Sequence, residues 1–304
     1  MTRGPVERRI AAGQRAIAAE RAPEHDPPAV GRGAAVRARG GDLGLLVLVG
    51  LGVVFLGLPV VVLVGRAALG GSLAGAVGSR AVLDALGLSL ATTAVSLLVT
   101  IVFGLPLAWV LARRPFRGAS LVEAVVDLPI VLPPSVAGLA LLLALGRAGL
   151  LGPALGTAGV AVPFTTGAVV LAQSFVAAPF FVRSARTGLA GVDRDVEDAA
   201  RADGASELRV FRHVTVPLAA PALAAGLVMS WARSLGEFGA TIMFAGNFPG
   251  RTQTLPLLVY AEFEGASLDS SIAAGAILVL AALGVLLAVR IMHWGWALDT
   301  RTAG

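Results

Sequence analysis

The sequence predicts an all-α membrane protein with six transmembrane helices, and its composition and long apolar runs support this prediction. Hydrophobic residues make up 56% of the 304-residue chain, charged residues make up only 14%, and the mean hydropathy is +0.83. A soluble domain carries roughly 25% charged residues. Several apolar runs reach the ~20 residues with which a helix spans a bilayer, which is too long for the strands of a membrane barrel.

The predicted spans follow one another along most of the chain. They lie at residues 43–65, 86–112, 122–146, 162–183, 218–245 and 270–292. Three prolines, Pro129, Pro133 and Pro134, fall within the third span. We expect them to kink or break it, because a proline removes a helical hydrogen bond that neighbouring protein must replace.

The segments outside the spans complete the predicted organisation. Residues 1–42 are rich in Arg, Ala, Gly and Pro and show no apolar periodicity, so we expect a disordered cytoplasmic tail that is not cleaved as a signal peptide. The first transmembrane helix and its outer loop occupy residues 43–85, and the main bundle occupies residues 86–292. Residues 293–304 are expected to form a second cytoplasmic tail.

Arginine placement predicts the orientation of the chain, since positive residues concentrate in cytoplasmic loops. If the N-terminus lies inside, nineteen of the 24 basic residues fall in inner segments and one, Arg233, falls in a span. The four that remain in outer loops are Arg66, Arg80, Arg147 and Arg251. We therefore expect a multi-pass protein of the inner membrane with a cytoplasmic N-terminus.

Missing residue types exclude several functions. The chain contains no cysteine, which excludes disulfides and thiol catalysis, and its three histidines, His25, His213 and His293, are too far apart in sequence to indicate a metal site. Every basic residue is Arg, so the chain lacks the lysine of a P-loop. We predict that the chain is not an enzyme and that ATP and Mg²⁺, where used, bind another chain. The pI near 11.2 is attributed to orientation charge rather than to nucleic-acid binding.

A charged island, VDRDVEDAARADGASELRVFRHVTVP, interrupts the apolar pattern at residues 192–217. Asp193 is a predicted N-cap, and Gly204 is a predicted C-terminal glycine of the same short helix. Ser206 is expected to cap a second short helix, and Pro217 is expected to open the next span. The helical spacing predicts two apolar faces, one made by Val196, Ala199 and Ala200 and one made by Leu208, Phe211 and Val214.

The charges of the island bear on what it contacts. A helix lying on the inner membrane surface is one interpretation, but such helices usually present Lys and Arg to anionic lipid. The island carries six acidic residues beside four arginines. Acids next to an anionic leaflet are unfavourable, so we favour a protein partner on the cytoplasmic side.

The stretch DAARADGASELRVFRHVTVP resembles the cytoplasmic EAA loop of type I ABC-importer permeases. Asp198, Ala199 and Ala200 match E-A-A with Asp in place of Glu, and Asp203 stands where the family generally has Leu. The residues that match the rest of the signature are Gly204, Phe211, Val214 and Pro217. The segments at 111–142, 173–189 and 231–260, the last containing GEFGAT and TLP, are similar to those of molybdate permeases, and sulfate/thiosulfate permeases share much of that last region.

This resemblance implies a type I permease fold with cytoplasmic coupling helices. It implies a homodimer of permeases in the lipid bilayer, a pair of ATPase subunits and a periplasmic oxyanion-binding protein, with no cofactor on this chain. The short helix near 205–214 would sit in a groove of the ATPase and act as a lever. The residues implied in ATPase coupling are Glu197, Asp198, Ala199, Ala200, Gly204, Ala205, Ser206, Leu208, Arg209, Phe211, Arg212 and Pro217. Within this group, Leu208 and Phe211 would supply an apolar plug, and Arg209 and Arg212 are either partner contacts or ordinary orientation charge.

The implied function is import of molybdate or a similar tetrahedral oxyanion, with sulfate/thiosulfate or tungstate as alternatives. A different class, a secondary transporter driven by an ion gradient, would use acidic residues inside spans, and only Asp127 and Glu237 qualify.

The fifth span contains Arg233, Glu237 and Thr241, which are candidates for the pathway or its gate. A charge in lipid costs about 2.5 to 3.5 kcal/mol, so the first two residues are expected to face the interior or each other. An ion pair that fixes helix packing and a pathway gate are both consistent with this pattern. Gly236 and Gly239 would permit close helix approach.

Overall fold

The computed structural model describes the backbone of residues 40–302 and the side chains of residues 44–287. The chain divides into compact units of residues 1–56 and 57–304, and the boundary falls inside the first helix. Of the predicted tail at 1–42, residues 1–39 lie outside the described residues. The remaining domain boundaries stay predictions, although the last helix continues to Thr302, beyond the predicted start of the second tail.

The described residues form helices and one π turn, without strands. The long helices are α1 (Gly40–Leu69), α3 (Arg80–Arg113), α7 (Thr166–Ala190), α10 (Val216–Leu235) and α13 (Leu268–Thr302). The shorter helices are α2 (Ser72–Gly78), α4 (Ala119–Val131), α5 (Pro134–Leu145), α6 (Gly152–Thr157), α8 (Arg194–Ala202), α9 (Glu207–Val210), α11 (Gly239–Ala245) and α12 (Leu255–Glu264).

Five helical segments are long and apolar enough to cross a membrane, and the bent pair α4–α5 brings the number to six if it forms one span. The two helices of that pair meet at 119°. Leu132 is extended because the following residue is a proline, and Pro134 occupies the first turn of α5. The predicted break in the third span is therefore confirmed.

Helix α7 is the central helix of the second unit and packs against α3 and α10. Its buried residues Phe181, Val182 and Ala185 form a core with Ala108 of α3 and Ala219 of α10. Small residues bring the backbones together, since a Cβ atom on Gly188 would lie 2.4 Å from the Cβ of Ala222. Close backbone approach of this kind is typical of helices that associate inside a membrane.

The fifth predicted span, 218–245, is wrong as a single helix. It consists of α10 and α11, separated by residues 236–238. Helix α11 packs against α5, where a Cβ atom on Gly239 would lie 2.7 Å from the Cβ of Pro134. Close approach was predicted for both Gly236 and Gly239. It is found at Gly239, whereas a Cβ on Gly236 would meet only the Ala232 carbonyl oxygen at 3.6 Å.

Candidate functional site

The first half of the charged island folds as its sequence predicts. The Asp193 carboxylate accepts a hydrogen bond from the amide of Asp195 at 3.0 Å and caps α8. Gly204 has φ +86°, and the Ala205 amide donates to the Ala200 carbonyl at 3.0 Å, which closes the C-terminal end of the helix. Both features depend only on neighbouring residues, which is why the local sequence was sufficient to predict them.

The second half of the island differs from the prediction. Ser206 occupies the N-cap position of α9, but its side chain makes no capping hydrogen bond. The expected separate helix near 205–214 is also wrong, because α9 continues through a π turn at Phe211–Thr215 directly into α10. Pro217 lies just after this turn, and its missing amide hydrogen disturbs the regular α-helical hydrogen bonding there. The island is thus continuous with a membrane-crossing helix.

The inward face of α8 is not the apolar face that the spacing predicted. Val196 and Ala199 are exposed, and the buried residue of the helix is Glu197. Helical spacing reports which residues share a face, but it does not report that an acidic residue has a buried partner elsewhere in the chain.

Glu197 has that partner in Arg113, the last residue of α3. The Arg113 guanidinium donates to Glu197 Oε1 at 2.7 Å and to the Val192 carbonyl at 3.3 Å, and the Thr215 hydroxyl donates to the same carboxylate oxygen at 2.6 Å. The side chains of Arg113 and Glu197 are only 10% and 7% exposed. Buried charges require such pairing. Nothing in the local sequence pattern marks Arg113 or Thr215 for this role.

Phe211 is not an outward plug. It is half-buried, and its ring makes an edge-to-face contact with Trp109 of α3 at a centroid distance of 6.3 Å. Leu208 is the apolar side chain that faces outward, with 67% of it exposed. The other exposed residues of this segment are Ser206, Glu207, Arg209, Arg212 and His213, and Ala205 is half-buried. These residues form an outward face in which one apolar side chain is flanked by two arginines.

Arg201 organises the acidic side of the island. Its guanidinium contacts Asp198 and Glu207, each at 2.7 Å. These hydrogen bonds, to Glu207 first and to Asp198 second, raise the pKa of Arg201 above its ordinary value. Asp198 is exposed, as is Ala199, and Ala200 is half-buried. The acid that replaces Glu in the EAA-like pattern is therefore on the surface and bound to a neighbour in its own helix.

The pathway candidates lie together at the break between α10 and α11. The Arg233 guanidinium lies 2.5 Å from Glu237 Oε2, and the two side chains are 28% and 0% exposed. The other oxygen of Glu237 accepts a hydrogen bond from the Ala240 amide at 2.7 Å in the first turn of α11. Thr241 is buried, and its hydroxyl has no hydrogen-bond partner among the described residues. This geometry favours an internal ion pair that shapes the break, and the role of the three residues in a gate stays a prediction.

Helix α3 carries a row of buried hydroxyl side chains that was not predicted from the sequence. Its members are Ser89, Thr93, Ser96 and Thr100. The Ser96 hydroxyl lies 3.1 Å from that of Ser174 on α7 and 3.3 Å from that of Ser234 on α10. Their spacing of about one helical turn was the available signal. The row joins the three central helices through polar contacts.

The described residues contain no group of three or more His, Cys, Asp or Glu side chains placed to hold a metal ion. The candidate site has two parts. One is the charged island, which is held by the buried pair Arg113–Glu197, and the other is the break between α10 and α11, which is shaped by the pair Arg233–Glu237.

A solved structure shares the fold of this chain. The structure of the "bacterial alginate ABC transporter in complex with alginate pentasaccharide-bound periplasmic protein" matches with a TM-score of 0.65 and 18% identity, over 82% of this chain and 92% of that one. At this identity the match establishes the fold alone. The predicted ABC-importer permease fold is confirmed.

The sequence comparison then identifies the family. Residues 101–294 match the family described as "Binding-protein-dependent transport system inner membrane component", and the chain belongs to this family. The "Molybdenum transport system permease protein ModB" of Escherichia coli (strain K12) is 38% identical over 218 residues, which cover 71% of this chain and 94% of that protein. The "Molybdate/tungstate transport system permease protein WtpB" of Pyrococcus abyssi is 36% identical over 255 residues, covering 83% and 96%. The resemblance to molybdate permeases is confirmed.

Proposed function

We propose that this chain is the membrane permease subunit of an ATP-driven importer that moves molybdate across the inner membrane. The names of its relatives, which are molybdenum transport permeases, support this substrate, and the chain spans 94% of the Escherichia coli relative. Tungstate, named together with molybdate for the relative from Pyrococcus abyssi, is the alternative. Sulfate and thiosulfate are further alternatives, because permeases for these anions share much of the region at residues 231–260.

The observation that carries the proposal is the outward face of the island. Leu208, Arg209 and Arg212 are exposed on a segment that is continuous with α10. We assign this face to an ATPase subunit, which binds ATP and Mg²⁺, because one apolar side chain between two arginines suits a groove with acidic edges. The arginine distribution supports a cytoplasmic position for this face and for the N-terminus.

The assembly that follows has two permease copies, two ATPase subunits and a periplasmic binding protein that delivers the oxyanion. Closure of the ATPase pair moves the island, and the island moves the spans that are joined to it. The pair Arg233–Glu237 fixes the break in the fifth span and leaves no free charge to hold the oxyanion tightly there. Passage of the anion through this region therefore relies on the change of conformation rather than on a strong binding site.

Uptake of labelled molybdate tests the proposed function. Proteoliposomes containing the permease, ATPase and binding protein are expected to accumulate molybdate when ATP is supplied, and unlabelled tungstate is expected to compete better than sulfate. The matched control lacks only the permease. Uptake that continues without ATP and stops when the ion gradient collapses would instead establish a secondary transporter.

A surface substitution tests the assigned ATPase face. Leu208→Ala is expected to weaken copurification of the ATPase and to lower uptake, because it removes the central apolar contact of that face. Leu150→Ala is the matched control, since Leu150 is 85% exposed and lies between the third and fourth spans, in the predicted outer loop. Normal ATPase binding in the Leu208 variant would contradict the assignment.

Two substitutions test the lever. Gly204→Pro changes the left-handed turn of the island, and Asp198→Arg reverses the charge that Arg201 holds. Both variants are expected to insert normally in the membrane and to lose ATP-dependent uptake, whereas Asp84→Arg, an exposed site near the start of α3, is expected to have no effect. Normal uptake in both island variants would rule the lever out.

A further inference from the structure

Three elements of the molecule meet at the single carboxylate of Glu197. Arg113 ends α3, Glu197 lies in α8, and Thr215 ends the π turn that leads into α10. Both partners donate to the same oxygen, Oε1, at 2.7 and 2.6 Å. Thr215 is buried, and the side chains of Glu197 and Arg113 are only 7% and 10% exposed, so these hydrogen bonds lie in a largely desolvated environment that strengthens them.

The arginine of this junction is fixed from more than one side. Its guanidinium also donates to the carbonyl of Val192, which precedes α8, at 3.3 Å. The planar guanidinium is suited to hold two acceptors in a set direction, which a lysine ammonium does not do. Next to it, Trp109 of α3 contacts Phe211 of the π turn. The end of α3 is therefore joined to the island by both polar and apolar contacts.

Beyond the junction, α3 is joined to the rest of the bundle by polar contacts. The Ser96 hydroxyl lies within 3.3 Å of hydroxyls on α7 and α10. A displacement of α3 is thus passed to the two helices against which it packs. The island has direct covalent connections to α7 and α10. It contacts α3 through Arg113, through the aromatic pair and through the apolar core that contains Leu111 and Val192, and Arg113 makes the buried ionic contact among these.

We propose that Arg113 is a positioning residue for transport: through Glu197 it makes the end of α3 and the charged island move as one body. The proposal rests on the proposed function, in which an ATPase moves the island. Without this link, the island would transmit its displacement to α10 while α3 lagged behind, and ATP hydrolysis would continue with little transport.

The absence of cysteine in the chain permits a direct measurement of this rigid link. Spin labels at Phe103→Cys on α3 and Val196→Cys on α8 occupy exposed positions, and pulsed dipolar spectroscopy measures the distance between them in the assembled complex. The distance is expected to be the same with and without ATP. In Arg113→Met/Glu197→Met, which removes both charges together, the distribution is expected to broaden. A distance that shifts on ATP binding in the unsubstituted complex would overturn the proposal, and so would an unbroadened distribution in the double variant.

Transport per ATP hydrolysed provides the functional measurement. In the double variant this ratio is expected to fall about fivefold or more, while ATPase binding and ATP hydrolysis persist. Arg113→Lys, which keeps the charge but not the planar group, is expected to give a smaller loss and covers the case in which the double variant does not assemble. A purely structural role for Arg113 would instead lower assembly and hydrolysis together and leave the ratio unchanged, which would overturn the proposal.

The control variant removes a different ion pair near the same predicted cytoplasmic side. Arg186→Met/Glu123→Met eliminates a pair at 2.8 Å between α7 and α4, whose side chains are 42% and 32% exposed. Its ratio of transport to hydrolysis is expected to match that of the unsubstituted protein. Failure of the unsubstituted complex to take up molybdate at all would count against the proposed function, whereas the distance measurement does not depend on the substrate and tests the link separately.

Discussion

Two buried glutamates, Glu197 and Glu237, are each paired with an arginine, and the two pairs are built in different ways. Glu237 pairs with Arg233, one helical turn away in the same segment, and its other oxygen caps the helix that begins two residues later. Glu197 pairs with Arg113, which lies 84 positions away in another helix, and it also accepts from Thr215. The first pair shapes one local break, and the second joins three separate elements.

The difference indicates what a buried ion pair contributes in each place. Arg233 keeps part of its side chain in contact with the surroundings, whereas Arg113 is nearly enclosed. Loss of the local partner therefore leaves the Arg233 charge with part of its side chain exposed, whereas loss of the distant partner leaves the Arg113 charge almost fully buried without compensation. The stability of the Arg113–Glu197 pair therefore depends on the relative position of the helices that it joins.

The largest effect is expected for Glu197→Ala. This change leaves the Arg113 charge buried without its partner and is expected to lower the free energy of unfolding by about 3–5 kcal/mol. Glu237→Ala removes a helix cap and a local partner, and is expected to cost about 1–2 kcal/mol. Unfolding of the purified variants in detergent measures both values. Equal losses would show that the distance between partners does not matter here.

A smaller effect is expected for Gly239→Ala, at the break that Glu237 shapes. The added methyl carbon would lie 2.7 Å from the Cβ of Pro134, and relief of this overlap is expected to cost about 1–3 kcal/mol. Gly236→Ala is the matched control, because its Cβ would make only an ordinary contact at 3.6 Å. The same unfolding measurement applies, and a stable Gly239 variant would mean that α5 and α11 separate readily.

The turn of the island is expected to tolerate substitution somewhat better. Gly204→Ala places an L side chain at φ +86° with open space around it, so only the backbone conformation costs energy, about 1 kcal/mol. Gly191→Ala is the control, since Gly191 also ends a helix but has φ −79°. Thermal unfolding midpoints of the two variants are to be compared. A larger loss at Gly191 would contradict the left-handed turn at Gly204.

The smallest effect on stability is expected for Arg201→Met. Arg201 pairs closely with Asp198 and Glu207 on the surface of the same island, where water weakens the attraction, and it lies 3.9 Å from Glu197 Oε2. The unfolding midpoint is expected to stay within the error of the measurement, unlike that of Glu197→Ala in the same helix. A loss comparable to that of the Glu197 variant would contradict the prediction and would indicate that Arg201 stabilises the island as strongly as Arg113 does.

Local features of the island were predictable because the residues responsible are close together in the chain. The cap at Asp193, the turn at Gly204 and the break before Pro134 each depend on a backbone preference or a hydrogen bond within a few residues. The π turn at Phe211–Thr215 was missed, since an apolar repeat through this segment is equally consistent with an ordinary helix that ends before Pro217.

The direction in which side chains point could not be predicted in the same way. Leu208 and Phe211 share a predicted face, yet the first is exposed and the second contacts Trp109. The division of the fifth span into α10 and α11 was also missed, because Glu237 and Gly239 stabilise the break through a capping bond and through close packing on another helix. Such contacts depend on elements that the spacing within one segment does not describe.

By itself, the sequence determined that the chain crosses the membrane with about six apolar segments, that it lacks the lysine of a P-loop and that a charged segment interrupts the bundle. Hydropathy and local turns depend on neighbouring residues, and composition depends on the chain alone, so all three can be predicted without a tertiary structure. Only the tertiary structure decided that Glu197 is the buried face of α8 and that Arg113 holds it. A buried charge is stable only beside its partner, and the partner is brought there by the packing of helices far apart in the chain.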